Sequence, residues 1–565
     1  MADPRLVLGI AWGTHDSSAA LFAGGRLVGF VEEERLSGRK HAGGFPAHAV
    51  EWLLAEASAE ATDVGVVAHA FSARGFAHGT ARATAQALRH PSQRRSWARA
   101  ASYLAVHART RERLARLRAT FPAARVADLP HHLCHSRYAH AACGAETAAV
   151  LTVDSVGEWH STSIVVHGPR EERVVLRVAD PHSLGYAYGA VTEHLGHRRG
   201  DEEGTVMALA ALGDPQRHRA VLRSAIRLAR DGFALDPTLL APRVFSSRWP
   251  RLTPRFAAET CRRRAPDEPL EQVHADLAAA LQERTDDVLL HLGSLAATRT
   301  RASTLCLAGG VAMNCVGAGR LSASGLFERV FVPSAPGDAG TSIGAALAFV
   351  EVGDATRAQL RRWDLGPAFD AERIAAAVRA SGLRARPLAD PVGTLADELA
   401  AGRIVGLFRQ RLEAGPRALG HRSILASPLV PGMPERLSER VKLREPFRPF
   451  APVVTAAAAD EWFDVTDASP YMSFALPARE QARRRIPAIV HRNGTARVET
   501  LQPQDEPFLH ALLERFCERT GVPVLINTSL NVKGEPMAGS PESALACMQA
   551  CELDALLLEH LYVTR

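Results

Sequence analysis

Lysine is almost missing from this chain of 565 residues: Lys40, Lys442 and Lys533 are all there is, so the net charge of +6 rests on arginine. A compact ammonium does what arginine's planar fork cannot do at a tight phosphate or carbonyl site, which makes these three lysines candidate functional residues. No run reaches the roughly 18 apolar residues of a spanning helix. The N-terminus, MADPRLVLGIAWG, lacks the basic n-region and cleavage site of a signal peptide. A soluble, cytoplasmic protein is therefore expected, with no membrane partner. Among the eight cysteines there is no C-x-x-C pair, which excludes a zinc site built from cysteine. Cys547 and Cys551 are spaced as neighbours on one helix, and a reducing compartment fits. The basic stretch Arg82 to Arg118 has few aromatics to stack bases and helical spacing with interleaved apolar residues. It reads as a solvated helix face, and no nucleic-acid partner is expected.

The chain is longer than one hydrophobic core supports, so two or more domains are expected. LVLGIAW, SSAALFAGG and RLVGFVEEER read as strands joined by glycine turns, with a hairpin at Gly24-Gly25. A similar unit returns as TAAVLTVDSVGEWHSTSIVVHG, which suggests a duplicated α/β domain. AHAVEWLLAEA, LEQVHADLAAALQERTDDVLLHL and TSIGAALAFVE carry helical patterns. GDATRAQLRRWDLGPAFDAERI, between about 353 and 370, mixes charge with Gly and Pro and is the best linker candidate. Beyond it lies a second α/β segment with strands in GRIVGLF, PVLINTS and ALLLEHLYV.

Four residues form the sharpest metal signal. His131 and His135, at i and i+4, share one helix face. Asp154 follows the strand AAVLTV, and Asp338 sits in the glycine-containing turn PSAPGDAGTSIGAAL. Two imidazoles and two carboxylates suit zinc, iron or manganese. Asp338 also fits a plain helix N-cap, and the helix start at Thr341-Ser342 offers N–H groups to an anion. The strand ending at Ala308, the pair Gly309-Gly310 and the helix around Asn314 form a layout on which a nucleotide can lie. It stands beside the acidic turns in the order expected of an actin/Hsp70/sugar-kinase-like fold. His15-Asp16 follows the first strand, where His15 is either a general base at an acceptor or an exposed loop residue. In the second half, Arg411, Arg417, Arg422, Lys442, Arg444, Arg448 and Arg497 stand among Gly, Pro and aromatic residues, as cations placed for an anionic ligand. Asn527-Thr528-Ser529 ends an apolar strand, a common ligand position in α/β sheets.

These motifs together resemble the nodulation-protein and cephem O-carbamoyltransferase family, which includes tobramycin carbamoyltransferase. The carriers are HDSSAAL, EEERLSGRKH, HHLCHSRYA, the VDSVGEW turn, AGGVAMNC, PGDAGTSIGAA, RLEAGPRALGHRSILA, VKLREPFRPFAPVV, NGTARVET and PVLINTSLNVKGEP. The resemblance implies a duplicated actin/Hsp70-like (TsaD-like) carbamoyl-transfer domain over 1–360. It also implies a YrdC-like α/β domain over 361–565 that makes carbamoyl-AMP from carbamoyl phosphate and ATP. On that basis His131, His135, Asp154 and Asp338 would bind a divalent metal, with iron the family's ion. Magnesium would accompany ATP on a nucleotide site that includes Gly309, Gly310 and Asn314. His15 would be the base at the hydroxyl of a small-molecule acceptor, a secondary metabolite or antibiotic, with Lys40 near the transfer site. Lys442, Arg448, Arg497, Asn527 and Ser529, with Arg417 and Arg422, would hold the carbamoyl and phosphate groups. The sequence departs from the family pattern at Ser155 and Gln410, where glycine is usual, at Thr205, where lysine is common, and at Ala208, where glycine is common. Alternatives are a tRNA threonylcarbamoyl-type modification enzyme, an actin-fold small-molecule kinase, and a nucleotide-binding scaffold. The acceptor and the oligomeric state, a homodimer included, stay open.

Overall fold

The computed structural model describes residues 6–169 and 171–565. The chain divides into two compact units, Met1–Val28 with Gly43–Arg361, and Gly29–Ala42 with Arg362–Arg565.

The first unit is built on two five-stranded sheets with the same strand order. In one, Leu6–Ala11 pairs antiparallel with Ser18–Ala23 and parallel with Val66–His69, which pairs in turn with Arg125–Asp128. In the other, Ala148–Gly157 pairs antiparallel with His160–Gly168 and parallel with Thr304–Ala308, which pairs in turn with Arg329–Phe331. The duplication suggested by the sequence is thus present in the topology. Continuous burial of LVLGIA and TLCLA explains why these strands read as unbroken apolar runs. Gly24 and Gly25, with φ of 52° and 81°, make the two-residue turn that a hairpin favours.

Helices cover the sheets where the sequence periodicity places them, at Ala47–Glu56 and Gln272–Thr300. The third helical pattern ends sooner than expected, at Ala346. Asp154 lies inside its strand rather than after it, at a bulge where the register shifts between Val153 and Gly157. A bulge turns a side chain away from the regular alternation, and Asp154 faces His131 and His135. The linker candidate contains the helix Asp354–Leu360, which packs on His131–Cys143. Its buried Thr356 and Leu360, four residues apart, are the short apolar stripe that the charged composition concealed.

The basic stretch forms two helices, Ala73–Arg89 and Arg94–Thr120, packed on each other over Phe76, Ala83, Ala87, Ala100 and Tyr103. Among the described residues no helix is long and apolar enough to cross a membrane.

The second unit carries a nine-stranded mixed sheet. Its centre runs Val405–Phe408, Arg422–Ala426, Val524–Ser529, Ala451–Thr455 and Thr495–Leu501. ALLLEHLYV is two strands, Ala555–Leu558 and Leu561–Thr564, because Glu559 adopts a φ of 51° and reverses the chain.

Candidate functional site

In the first unit a helix start, a bulge and a glycine turn bring four ligand atoms together. His131 is the first residue of the helix His131–Cys143, and one helical turn places His135 beside it, with Nε2 atoms 3.1 Å apart. Asp154 Oδ2 lies 3.3 Å from His131 Nε2 and 3.6 Å from His135 Nε2. Asp338 Oδ1 lies 3.3 and 3.7 Å from the same two nitrogens. One ligand atom from each residue falls within 4.8 Å of every other.

Close backbone packing fixes this geometry. A Cβ on Gly344 would sit 1.7 Å from the Cys134 carbonyl oxygen, and one on Gly9 would sit 1.9 Å from that of Ser342. The turn bearing Asp338 is thereby pressed between the first strand and the histidine helix. Ser18 Oγ donates to the Ala339 carbonyl at 2.6 Å and holds the same turn from the other side.

The electrostatics fit a cation. His131 Nδ1 lies 3.0 Å from the Ala70 carbonyl, an acceptor only, so Nδ1 carries the proton and Nε2 faces the carboxylates. Phe71 stacks on the ring with centroids 4.1 Å apart. Burial disfavours the His131 imidazolium, but Asp338 and Asp154 outweigh it and hold the pKa well above its usual value. Burial likewise opposes ionisation of Asp338, and His131 and His135 overcome it, keeping that carboxyl well below the usual range. A metal bound here would take the place of that proton.

His15 is half exposed with Nδ1 2.7 Å from Asp16 Oδ2. Gly309 has a φ of 86°, and a Cβ there would sit 2.4 Å from the Val153 carbonyl, so glycine is needed where this loop crosses the Asp154 strand. A Cβ on Gly310 would lie 3.3 Å from Asp154 Oδ1. Asn314, beyond this loop, is tied into the protein. Its Oδ1 caps Gly317 N at 3.0 Å and its amide pairs with Gln282, so the side chain serves the helix Cys315–Ser322.

The sequence reading missed the groups that support this site. Buried Glu158 accepts from the backbone N–H of both Ser72 and His131. Arg243 donates to the Ser155 carbonyl, and Ser183 Oγ to the carbonyls of Asp154 and Ser155. Glu158 stands in the turn between two apolar strands, and nothing in its local sequence marks it as buried.

In the second unit, cations converge around the end of Val524–Ser529. Burial, then Arg448 and Arg497, hold the Arg444 guanidinium's pKa well below its usual value, which brings these three side chains into one neighbourhood. Burial and then Arg497 push His491 down to about 4. Lys442 ends a buried π-helical turn, and burial with Arg444 and Arg448 nearby pushes its pKa down to about 7. Against that, its Nζ donates to Ser529 O, Asn531 O and Asn531 Oδ1, each at 2.6 Å, and these oxygens favour the ammonium. Lys442 thus ties together the strand end that bears Ser529.

Arg422 opens the strand Arg422–Ala426. It is wholly buried, donates to the carbonyls of Arg409 and Gln410 and lies 3.7 Å over the Phe408 ring, so it organises that loop. The loop includes Gln410 at a φ of 48°, a left-handed conformation that glycine adopts more readily. Arg417 is half-buried on the neighbouring loop, and Lys40 belongs to the second unit's segment Gly29–Ala42. Asn527 is fully buried and donates to Glu499 Oε2 at 2.7 Å.

Two units of this construction, one with a buried histidine-carboxylate cluster and one with clustered guanidiniums, match an enzyme class in both halves. Residues 6–347 match the family model described as Carbamoyltransferase N-terminus, and 396–565 match Carbamoyltransferase C-terminus. The protein is a group-transfer enzyme. It belongs to the carbamoyltransferase family. Nodulation protein NolNO of Sinorhizobium fredii is 32% identical over 553 residues, covering 96% of this chain and 78% of that protein. Uncharacterized protein sll1178 of Synechocystis is 33% identical over 613 residues, covering 99% of this chain and 96% of the relative. Among solved structures, HypF of T. kodakarensis aligns at 11% identity over 63% of this chain and 50% of its own, with a TM-score of 0.31, too low to define a shared fold.

Proposed function

We propose that this carbamoyltransferase uses ATP to convert carbamoyl phosphate into carbamoyl-AMP in its second unit and transfers the carbamoyl group to an acceptor hydroxyl in its first. The observation that carries the reading is the gathering of Arg444, Arg448 and Arg497 in one unit, while His131, His135, Asp154 and Asp338 gather in the other. Guanidiniums that depress one another's pKa are stabilised by a phosphate placed between them.

The chemistry balances in three steps. Water cleaves carbamoyl phosphate to carbamate and inorganic phosphate. A carbamate oxygen then attacks the α-phosphorus of ATP, and the bond to pyrophosphate breaks. Finally the acceptor hydroxyl attacks the carbamoyl carbon, AMP leaves, and the hydroxyl proton passes to a base.

His15 would be that base, with Asp16 Oδ2 2.7 Å from its Nδ1 to orient the ring. His131, His135, Asp154 and Asp338 would hold a divalent metal, iron by family resemblance, which supplies Lewis acidity toward a carbonyl or phosphate oxygen. Gly309 and Gly310, packed against the Asp154 strand, would offer their backbone to a nucleotide there. The acceptor is a hydroxyl-bearing small molecule. The deciding test is pyrophosphate release from ATP with no acceptor added. Release that depends on carbamoyl phosphate supports the reading, and ADP formation in its place refutes it in favour of a kinase.

A further inference from the structure

One face of the second unit's sheet carries polar groups deeper than its arginines. Alternate residues of a strand share a face, so Glu499 lies beneath Arg497 and Asn527 lies beside Ser529. Between their strands runs Ala451–Thr455, with Ala451 opposite Asn527 and Val453 opposite Glu499. Over these modest side chains the two polar groups meet, with Asn527 Nδ2 donating to Glu499 Oε2 at 2.7 Å and to the Ala418 carbonyl at 3.2 Å. A backbone carbonyl can only accept, so the amide is held in one orientation with Oδ1 turned away from both.

Asn527 Oδ1 and Glu499 Oε1 have no hydrogen-bond partner among the described residues, although both side chains are 0% exposed. Buried polar atoms of folded proteins are as a rule hydrogen-bonded, and a ligand is one group that can supply the missing partner. The surroundings narrow the ligand. On the same face stand Ser529, held by Lys442, and Arg497, with Arg444 and Arg448 close by, a setting for an anionic end. Burial first, then Glu413 and Glu506, hold the Glu499 carboxyl well above its usual range. A neutral acid offers a donor beside the amide's acceptor, and a planar group with an NH2 and a carbonyl oxygen complements that pair.

We propose that Glu499 is a positioning residue that locks the Asn527 amide with Oδ1 toward the ligand, so that the pair selects a carbamoyl group over an acetyl group of the same shape. The inference rests on the adenylate-forming reading above. Methyl and amino groups differ little in size, but the methyl leaves the buried acceptor without a donor, and sites built to hydrogen-bond a substrate reject such analogues strongly.

The test uses the full chain and measures pyrophosphate release from ATP with carbamoyl phosphate or acetyl phosphate. The wild type is expected to favour carbamoyl phosphate in kcat/KM by roughly 100-fold or more. Glu499→Leu removes the acceptor that holds Asn527. Its preference is expected to fall to within about tenfold, through a raised KM for carbamoyl phosphate with acetyl phosphate unchanged. Glu499→Gln keeps a carbonyl for Asn527 Nδ2 and is expected to restore most of the preference, which a general packing defect would not allow. A folded Glu499→Leu enzyme with the wild-type ratio overturns the inference. So does a wild type that uses both phosphates equally, a result that needs no variant to fold. No release with either compound overturns instead the adenylate-forming reading beneath it.

Discussion

Replacing Glu158 tests how the first unit holds its histidine helix. A single oxygen, Oε1, accepts from Ser72 N at 2.9 Å and from His131 N at 3.0 Å. Helix starts leave their first N–H groups without intrahelical partners, and here one buried carboxyl serves the beginnings of two helices. Glu158→Ala leaves both N–H groups without an acceptor, at about 1–3 kcal/mol each, so a loss of about 2–6 kcal/mol is expected. Glu158→Gln retains Oε1 as a carbonyl and should stay within about 1 kcal/mol of wild type.

The two variants also differ with pH. Burial raises the Glu158 pKa in the folded chain, so ionisation opposes folding. The penalty is absent below the unfolded value near 4.5 and grows as pH rises toward the folded one, so Glu158→Gln gains on wild type over that window. Urea denaturation followed by circular dichroism measures both effects. Zinc titration of the same proteins reads the consequence for His131, an expected loss in affinity of roughly 10–100-fold for Glu158→Ala. Equal stabilities for the alanine and glutamine variants, within about 0.5 kcal/mol, would refute the assignment of Oε1 as the shared acceptor.

His131→Ala is expected to lose metal binding, by isothermal titration, and carbamoyl transfer, while keeping pyrophosphate release. Loss of both half-reactions would sever the link between this cluster and transfer alone. Gly344→Ala places a methyl 1.7 Å from a backbone oxygen and should shift the histidine helix from Asp338, lowering stability by about 1–3 kcal/mol together with metal affinity. In the second unit, burial disfavours the His421 imidazolium, but Glu506 at 2.9 Å and Glu413 raise its pKa above 6.5. That stabilisation is fully present below 6.5 and is lost as pH rises through the folded value, and His421→Gln should flatten the profile in denaturation from pH 6 to 9.

Much of this protein is legible without coordinates. Apolar runs, glycine turns and the return of one strand-turn-strand pattern announce a duplicated α/β unit, because strands covered on both faces need unbroken apolar sequence. His131 and His135 declare themselves by helical spacing, which is a local property. Family membership is equally a matter of short motifs. What the sequence hides is which polar side chains are committed to the protein itself. Lys442 and Arg422 look like ligand cations in the chain, and the folded structure also turns their donors onto carbonyls, 87 residues away at Ser529 for Lys442 and 13 away at Arg409 for Arg422. Asn314 pairs with Gln282 for the same reason. Glu158, Glu413 and Glu499 show the reverse. Nothing in their local sequence marks an acid as buried, and only the packing of strands and helices far apart in the chain removes water from them and makes their hydrogen bonds decisive. Periodicity and composition act over a few residues and are written in the sequence, whereas desolvation depends on everything packed around a group and is settled only by the tertiary fold.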